Sequence, residues 1–313
     1  MTSTGFVEPA VSAPPRRAFA MGLMIVGSVA ISFGGLIVRN IGNADPWQII
    51  FYRAIALVGA IGLILVFRYG RRTAVRILGI GRFGLLGGVM LAVAQVAFLQ
   101  SIVHTTVANT LFIISAIPFF TAGLAWFFLR EGLRRETLIA MVFAAAGVFV
   151  MVAEGFGAGS VLGNVMALTT ALSYSGFAVI VRRHRDIDML PTILVSGVAI
   201  SVTALLVQRA DLTVSWHDAL LCLVWGGVLS GLANGLFIVA ARHLVAAEVT
   251  LFMLLEFSLG PVWVWIFVAE VPSAWTILGG ALVMSAVAAR AVHELRFRRE
   301  DRRRRTVPKA PVT

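Results

Sequence analysis

Long apolar runs, broken by short clusters of arginine, proline and glycine, divide this chain into ten segments. A bilayer is crossed by about 20 apolar residues of helix. Windows of that length fall at 18–38, 47–67, 83–102, 107–128, 137–153, 162–181, 190–207, 219–240, 246–268 and 274–292. The short connections suit antiparallel neighbours in a bundle. The least distinct boundary is 102–107, where His104-Thr105-Thr106 is hardly a polar loop. One helix from 83 to 128 would run about 69 Å at 1.5 Å per residue, more than a bilayer accommodates, so a break is predicted there.

The pattern is duplicated. A shift of 139 positions lays Gly87-Gly88-Val89 on Gly226-Gly227-Val228, Ala94 on Ala233, Gln95 on Asn234 and Phe98 on Phe237. It continues through His104 on His243, Ala108 on Ala247, Trp126 on Trp265, Glu131 on Glu270 and Thr137 on Thr276. A shift of 141 aligns Gly22 with Gly163, Ser32 with Ser173 and Phe33 with Tyr174. Residues 18–153 and 162–292 thus read as two copies of a five-helix unit. Five is odd, so the second copy enters the membrane upside down. The expected fold is an all-α integral membrane protein of ten helices in two inverted five-helix repeats, the arrangement of many alternating-access transporters.

Composition supports lipid as the solvent. Apolar residues make up 59% and charged residues 13% of 313, and mean hydropathy is +0.93. Soluble domains average about 25% charged. The net charge of +11 lies mostly beside the apolar spans, where it sets orientation and does not signal nucleic acid. With the N-terminus inside, 23 of the 26 Lys and Arg fall on the cytoplasmic side. Arg39 and Arg209 fall outside, and Arg53 lies within a span. Both termini are therefore expected in the cytoplasm, of a bacterial inner membrane.

Residues 1–17 read as a disordered cytoplasmic lead. The first span is read as a permanent helix and not a cleaved signal, because it has a counterpart in the sixth. The basic tail 293–313 is expected to rest near anionic lipid. The only lysine is Lys309, so no phosphate-binding loop ending in Gly-Lys-Ser/Thr exists to power an ATPase. Cys222 is the only cysteine and allows no intrachain disulfide. No cofactor or metal motif is present, and a homodimer is left open.

Several segments carry a family likeness. Residues 98–152 include Ala108-Asn109-Thr110-Leu111-Phe112 leading to Pro118, then Leu129-Arg130-Glu131-Gly132-Leu133 and Ala144-Ala145-Ala146-Gly147. The second half repeats the scheme with Glu256, Ala269-Glu270-Val271-Pro272 and Gly279-Gly280-Ala281. The chain resembles the EamA-type branch of the drug/metabolite transporter superfamily over about residues 20–292. The resemblance implies a ten-helix inverted-repeat bundle. It also implies transport of amino acids, other small metabolites, nucleotide precursors, vitamins or toxic compounds, often outward. One departure stands out: the family commonly has Glu-Pro in the ninth helix, whereas here Glu256 precedes Phe257 and the proline is Pro261. The kink of that helix is therefore expected about one turn later than in the family.

Polar groups inside a span are costly and usually face a cavity or each other. Glu256, near the middle of span 9, is the leading candidate for solute contact or proton coupling; its alternative role is a hydrogen bond to a neighbouring helix. Glu248 lies two turns earlier on the same face and is expected to be wet, near the cytoplasmic end, as a gate candidate. Gln95 and Asn234, matched across the repeat, suit an uncharged or zwitterionic solute or else link helices. Ser32, Ser173 and Tyr174 form a second matched set in spans 1 and 6. Arg53 lies roughly 9 Å below the outer end of span 2, placed to snorkel or to hold a solute carboxylate. Trp126 and Trp265 could line the pathway or face lipid. Glu131 and Glu270 read as structural pairs, and His104 and His243 lack metal-ligand companions. The rows Gly84/Gly88 and Gly227/Gly231/Gly235 read as helix-packing surfaces.

Taken together these features predict a secondary transporter of a small metabolite and no enzyme. An exporter of an amino acid or related neutral, zwitterionic or aromatic compound is favoured. Import of a vitamin or nucleotide precursor is the alternative, and a channel or membrane-embedded enzyme the remoter ones.

Overall fold

The computed structural model describes residues 15–42, 44–105, 107–152, 160–208, 212–269, 271 and 273–306. The lead expected at 1–17 falls outside this range up to residue 14, as do Glu270 and the last residues of the tail. Every regular element among the described residues is helical. In the first half these are α1 (Pro15–Ser32), α2 (Gly34–Asn40), α3 (Pro46–Tyr69), α4 (Thr73–Leu78), α5 (Gly81–His104), α6 (Val107–Ile114), α7 (Ile117–Leu129) and α8 (Arg135–Val152). The second half comprises α9 (Val161–Arg183), α10 (Leu190–Val207), α11 (Trp216–Leu223), a π-helical segment Val224–Ser230, α12 (Gly231–Ala240), α13 (Ala246–Met253), α14 (Leu255–Val268) and α15 (Ala274–Thr306).

Nine stretches among the described residues are long and apolar enough to cross a bilayer. They cover every expected span except 137–153, where the 18-residue α8 lies outside that set. The apolar surface is turned outward as lipid requires: Phe67, Phe127 and Leu206 are 82%, 71% and 73% exposed. The basic tail continues α15 as helix to Thr306.

Local chemistry sets the boundaries. Pro46 opens α3 behind a capping box, in which the Asp45 carboxylate accepts from Trp47 N at 2.9 Å and Gln48 Oε1 from Asp45 N at 2.9 Å. The break expected at 102–107 falls between His104 and Val107, where Thr105 turns to extended backbone (φ −139°). Ser160 then donates to His104 O at 2.5 Å, tying the end of α5 to the start of α9.

The kink of span 9 differs from expectation. The helix is interrupted at Leu254, and Pro261 sits inside α14. Under the 139-residue shift Leu254 matches Ser115, the equivalent interruption between α6 and α7, where Pro118 occupies the first turn of α7. The break keeps its place in both copies although the proline has moved. At Leu254 the Ser28 hydroxyl donates to Phe252 O at 2.9 Å, and a side chain bonded into the backbone ladder is a recognised cause of a kink.

The most extensive packing joins one half to the other: α5 with α9, α8 with α15, α3 with α10, and α1 with α12. Spans 7 and 3 meet as spans 2 and 8 do, and spans 4 and 6 meet as spans 9 and 1 do. Exchanging the copies therefore maps this set of pairings onto itself. The shared core includes Met141, Phe177, Leu244 and Phe252, all fully buried. Helices α8 and α15 meet through Gly147 and Gly279, where a Cβ on either would come within 2.7 Å of the other's carbonyl oxygen.

Candidate functional site

Two small, largely apolar pockets, each with a few polar groups, follow one another along span 8. The first is lined by Arg53 of α3, Gln95 of α5, and Gly226 and Ser230 of the π-helical segment, with Ile50, Ala54, Leu57 and Ile200 as its apolar walls. The second begins one turn on, with Ala233, Asn234 and Phe237 of α12. It is completed by Met24, Gly27, Ser28 and Ile31 of α1, Tyr174 of α9, Met253 of α13 and Glu256 of α14. The Asn234 amide donates to Ser230 O at 2.8 Å, one turn back on the same span. The second pocket has a free volume of ≈ 30 Å³, room for water but not for a metabolite.

Glycine makes the first pocket. A Cβ on Gly226 would stand 2.1 Å from Arg53 O, so only glycine lets the π-helical segment rest on α3 at this point. Trp225, next to it, lies beneath the Arg53 guanidinium, with Cζ 3.8 Å from the ring centroid. Insertion of a π-turn is common where a helix presents side chains for function.

In the second pocket the Glu256 carboxylate forms no hydrogen bond or ion pair among the described residues. Tyr174 lines the pocket beside it, and Arg53 of the first pocket lies within electrostatic reach. The Tyr174 ring packs edge-on against Phe177 and Phe237, which fixes it beside the pocket. Ser28, also lining the pocket, is occupied by the Phe252 carbonyl.

Of the residues singled out in the sequence, Tyr174, Asn234 and Glu256 come together in this second pocket, and Arg53 and Gln95 in the first. The matched amides thus occupy neighbouring pockets and do not face each other in one. Ser32 is buried and holds helices together, donating to Val29 O at 2.7 Å and accepting from Trp263 Nε1 at 2.7 Å. Ser173 is half-buried and lines neither pocket. Trp126 and Trp265 are 69% and 46% exposed, on the outer face. Glu131 pairs with Arg182 at 2.7 Å. No metal-binding cluster occurs among the described residues. The sequence reading missed Ser230 as a pocket group, because the π-turn that aims it leaves no mark in a span that is apolar all round.

Glu248 contradicts the wet environment expected for it. Its side chain is fully buried and ion-paired with both Arg17 of α1 and Arg290 of α15. Thr137 of α8 donates to Glu248 Oε1 at 3.2 Å and accepts from Arg290 Nε at 3.1 Å. Three donors from three helices replace the water a lone carboxylate would have needed. At the same end Asp188 accepts from Tyr69 Oη at 2.5 Å and pairs with Arg68 and Arg242. At the other end Gln208 donates to Asp45 at 2.7 Å and Gly42 N to Asp218 at 3.1 Å. Polar ties thus join helices at both ends of the bundle.

Residues 18–153 match the family model described as the EamA-like transporter family. The chain is similar to the pseudopaline exporter CntI of Pseudomonas aeruginosa strain PAO1, at 25% identity over 286 residues covering 85% of this chain and 94% of that one. The same exporter from strain UCBPP-PA14 matches to the same extent. A solved crystal structure shares the fold with a TM-score of 0.74 at 17% identity, covering 90% of this chain and 99% of that chain.

Proposed function

We infer, for a chain that is an EamA-type transporter of the drug/metabolite transporter superfamily, that it exports a small neutral, zwitterionic or aromatic metabolite such as an amino acid. It is an integral membrane protein and works as a secondary transporter. In this reading the two halves form an inverted repeat of ten spans, α8 being the fifth, in a bacterial inner membrane with both termini in the cytoplasm. The symmetry of the helix pairings under exchange of the copies supports the inverted repeat. The similarity to an exporter supports the outward direction.

The observation that carries the site is Glu256, a carboxylate without a hydrogen-bonding partner among the described residues, in a pocket between spans 1, 6, 8 and 9, beside Asn234 and Tyr174. Residues from both halves line that pocket, as alternating access between repeats requires. Solute contact and proton exchange both fall to Glu256. In this reading the tied ends belong to a closed state, and opening either side must undo one set of ties.

Counterflow into proteoliposomes tests this. A saturable flux that exchanges labelled for unlabelled solute marks a carrier, whereas flux linear in concentration would mark a channel and end this reading. Metabolite profiling of cells with and without the protein then gives solute and direction together.

A further inference from the structure

The first pocket holds donors with nothing to donate to. Among the described residues the Arg53 guanidinium has no hydrogen-bond acceptor and no ion-pair partner, and its Nε is buried and unbonded. The Ser230 hydroxyl, 3% exposed, is likewise buried without a partner. The Gln95 amide, lining the same space, makes no hydrogen bond among the described residues. The remaining walls are aliphatic. A guanidinium at this depth is expensive unless an anion or a ring of acceptors meets it, and here it lies on the face of Trp225, with Glu256 within electrostatic reach but not bonded to it.

We propose that this pocket is the carboxylate subsite of the transported solute: Arg53 grips the carboxylate, with Ser230 and Gln95 donating to its free lone pairs. The proposal rests on the transporter reading above and narrows its substrate class to compounds with a free carboxylate. A planar carboxylate matches the guanidinium fork edge-on, and Trp225 lies 3.8 Å from Arg53 Cζ on one side of it. Glu256 supplies the opposite charge in the adjoining pocket. Ser230 and Asn234 stand one helical turn apart, about 6 Å along the axis, so a molecule with a carboxylate at one end and an ammonium at the other bridges the two. The selected substrate is therefore a zwitterion of the amino-acid type, oriented carboxylate toward α3 and ammonium toward α14.

The test loads proteoliposomes of the full chain with a bacterial metabolite extract, either untreated or with its carboxylates methyl-esterified. Mass spectrometry reads which compounds leave. Wild-type protein is expected to release a small set of carboxylated amines, and esterification is expected to cut their release by about tenfold or more, because a site built for hydrogen bonds rejects an analogue lacking them. Arg53→Gln should reduce the preference for acid over ester to within about twofold, with Arg53→Lys intermediate. Should Arg53→Gln not give a monodisperse protein, Ser230→Ala removes a single hydroxyl and should raise the half-saturation concentration of the acid by roughly threefold. Release of a compound with no carboxylate, or a preference that survives Arg53→Gln, overturns the carboxylate assignment and leaves the transporter standing. Release of nothing by wild-type protein overturns the transporter reading and this assignment with it.

Discussion

Two glutamates eight residues apart on span 9 have opposite surroundings. Glu248 is enclosed by Arg17, Arg290 and Thr137, drawn from three other helices. Glu256 has no bonded partner among the described residues and opens into a pocket. The same side chain on the same face is a structural clamp at one end and an available group in the middle. Depth alone does not decide which: the fully buried one is the one that is neutralised. In the first copy Asn109 stands in place of Glu248 and Ile117 in place of Glu256, so both carboxylates belong to one half.

The largest effect expected from breaking this contrast is at the clamp. Glu248→Ala leaves Arg290 buried with its charge uncompensated, and removing one partner of such a pair costs about 3–5 kcal/mol. Fluorescence-detected size exclusion after heating should show a much lower midpoint, or no folded protein. Glu256→Gln should do the reverse: an unchanged midpoint, with counterflow reduced by about tenfold or more, or made independent of pH over roughly pH 5–8. If its flux and pH profile equal those of wild type, Glu256 is not the coupling group. A smaller effect belongs to Thr137→Val, which removes the hydroxyl joining Arg290 to Glu248 and should lower stability by about 1–3 kcal/mol with transport intact. The smallest is Tyr174→Phe beside Glu256, where the loss of one hydroxyl should change half-saturation by roughly threefold and the melting midpoint hardly at all.

Much of the fold was legible because spacing survives duplication. The break after His104 followed from length alone, and the pairing of Gln95 with Asn234 placed both along the pockets. The interruption of span 9 at Leu254 was not foreseen from Pro261, and the hydrogen bond from Ser28 beside it comes from a helix more than two hundred residues earlier. The clamp was illegible for a related reason. Arg17 and Arg290 counted among the charges that orient the chain, and nothing local joins them to Glu248. Arg53 was recognised as an intramembrane cation, but its stacking on Trp225 depends on a π-turn that hydrophobic patterning cannot register.

The interleaved packing also bears on how the protein is made. Helices α1, α3, α5, α7 and α8 leave the ribosome before any of their main packing partners, α9 to α15, exists. Each must wait in the bilayer with its contact face against lipid, and assembly can close only after the last span arrives. A product truncated near the middle would be a set of orphan helices, an easy target for membrane quality control. The two halves made as separate polypeptides, by contrast, carry complementary faces and contain all that is needed to find each other.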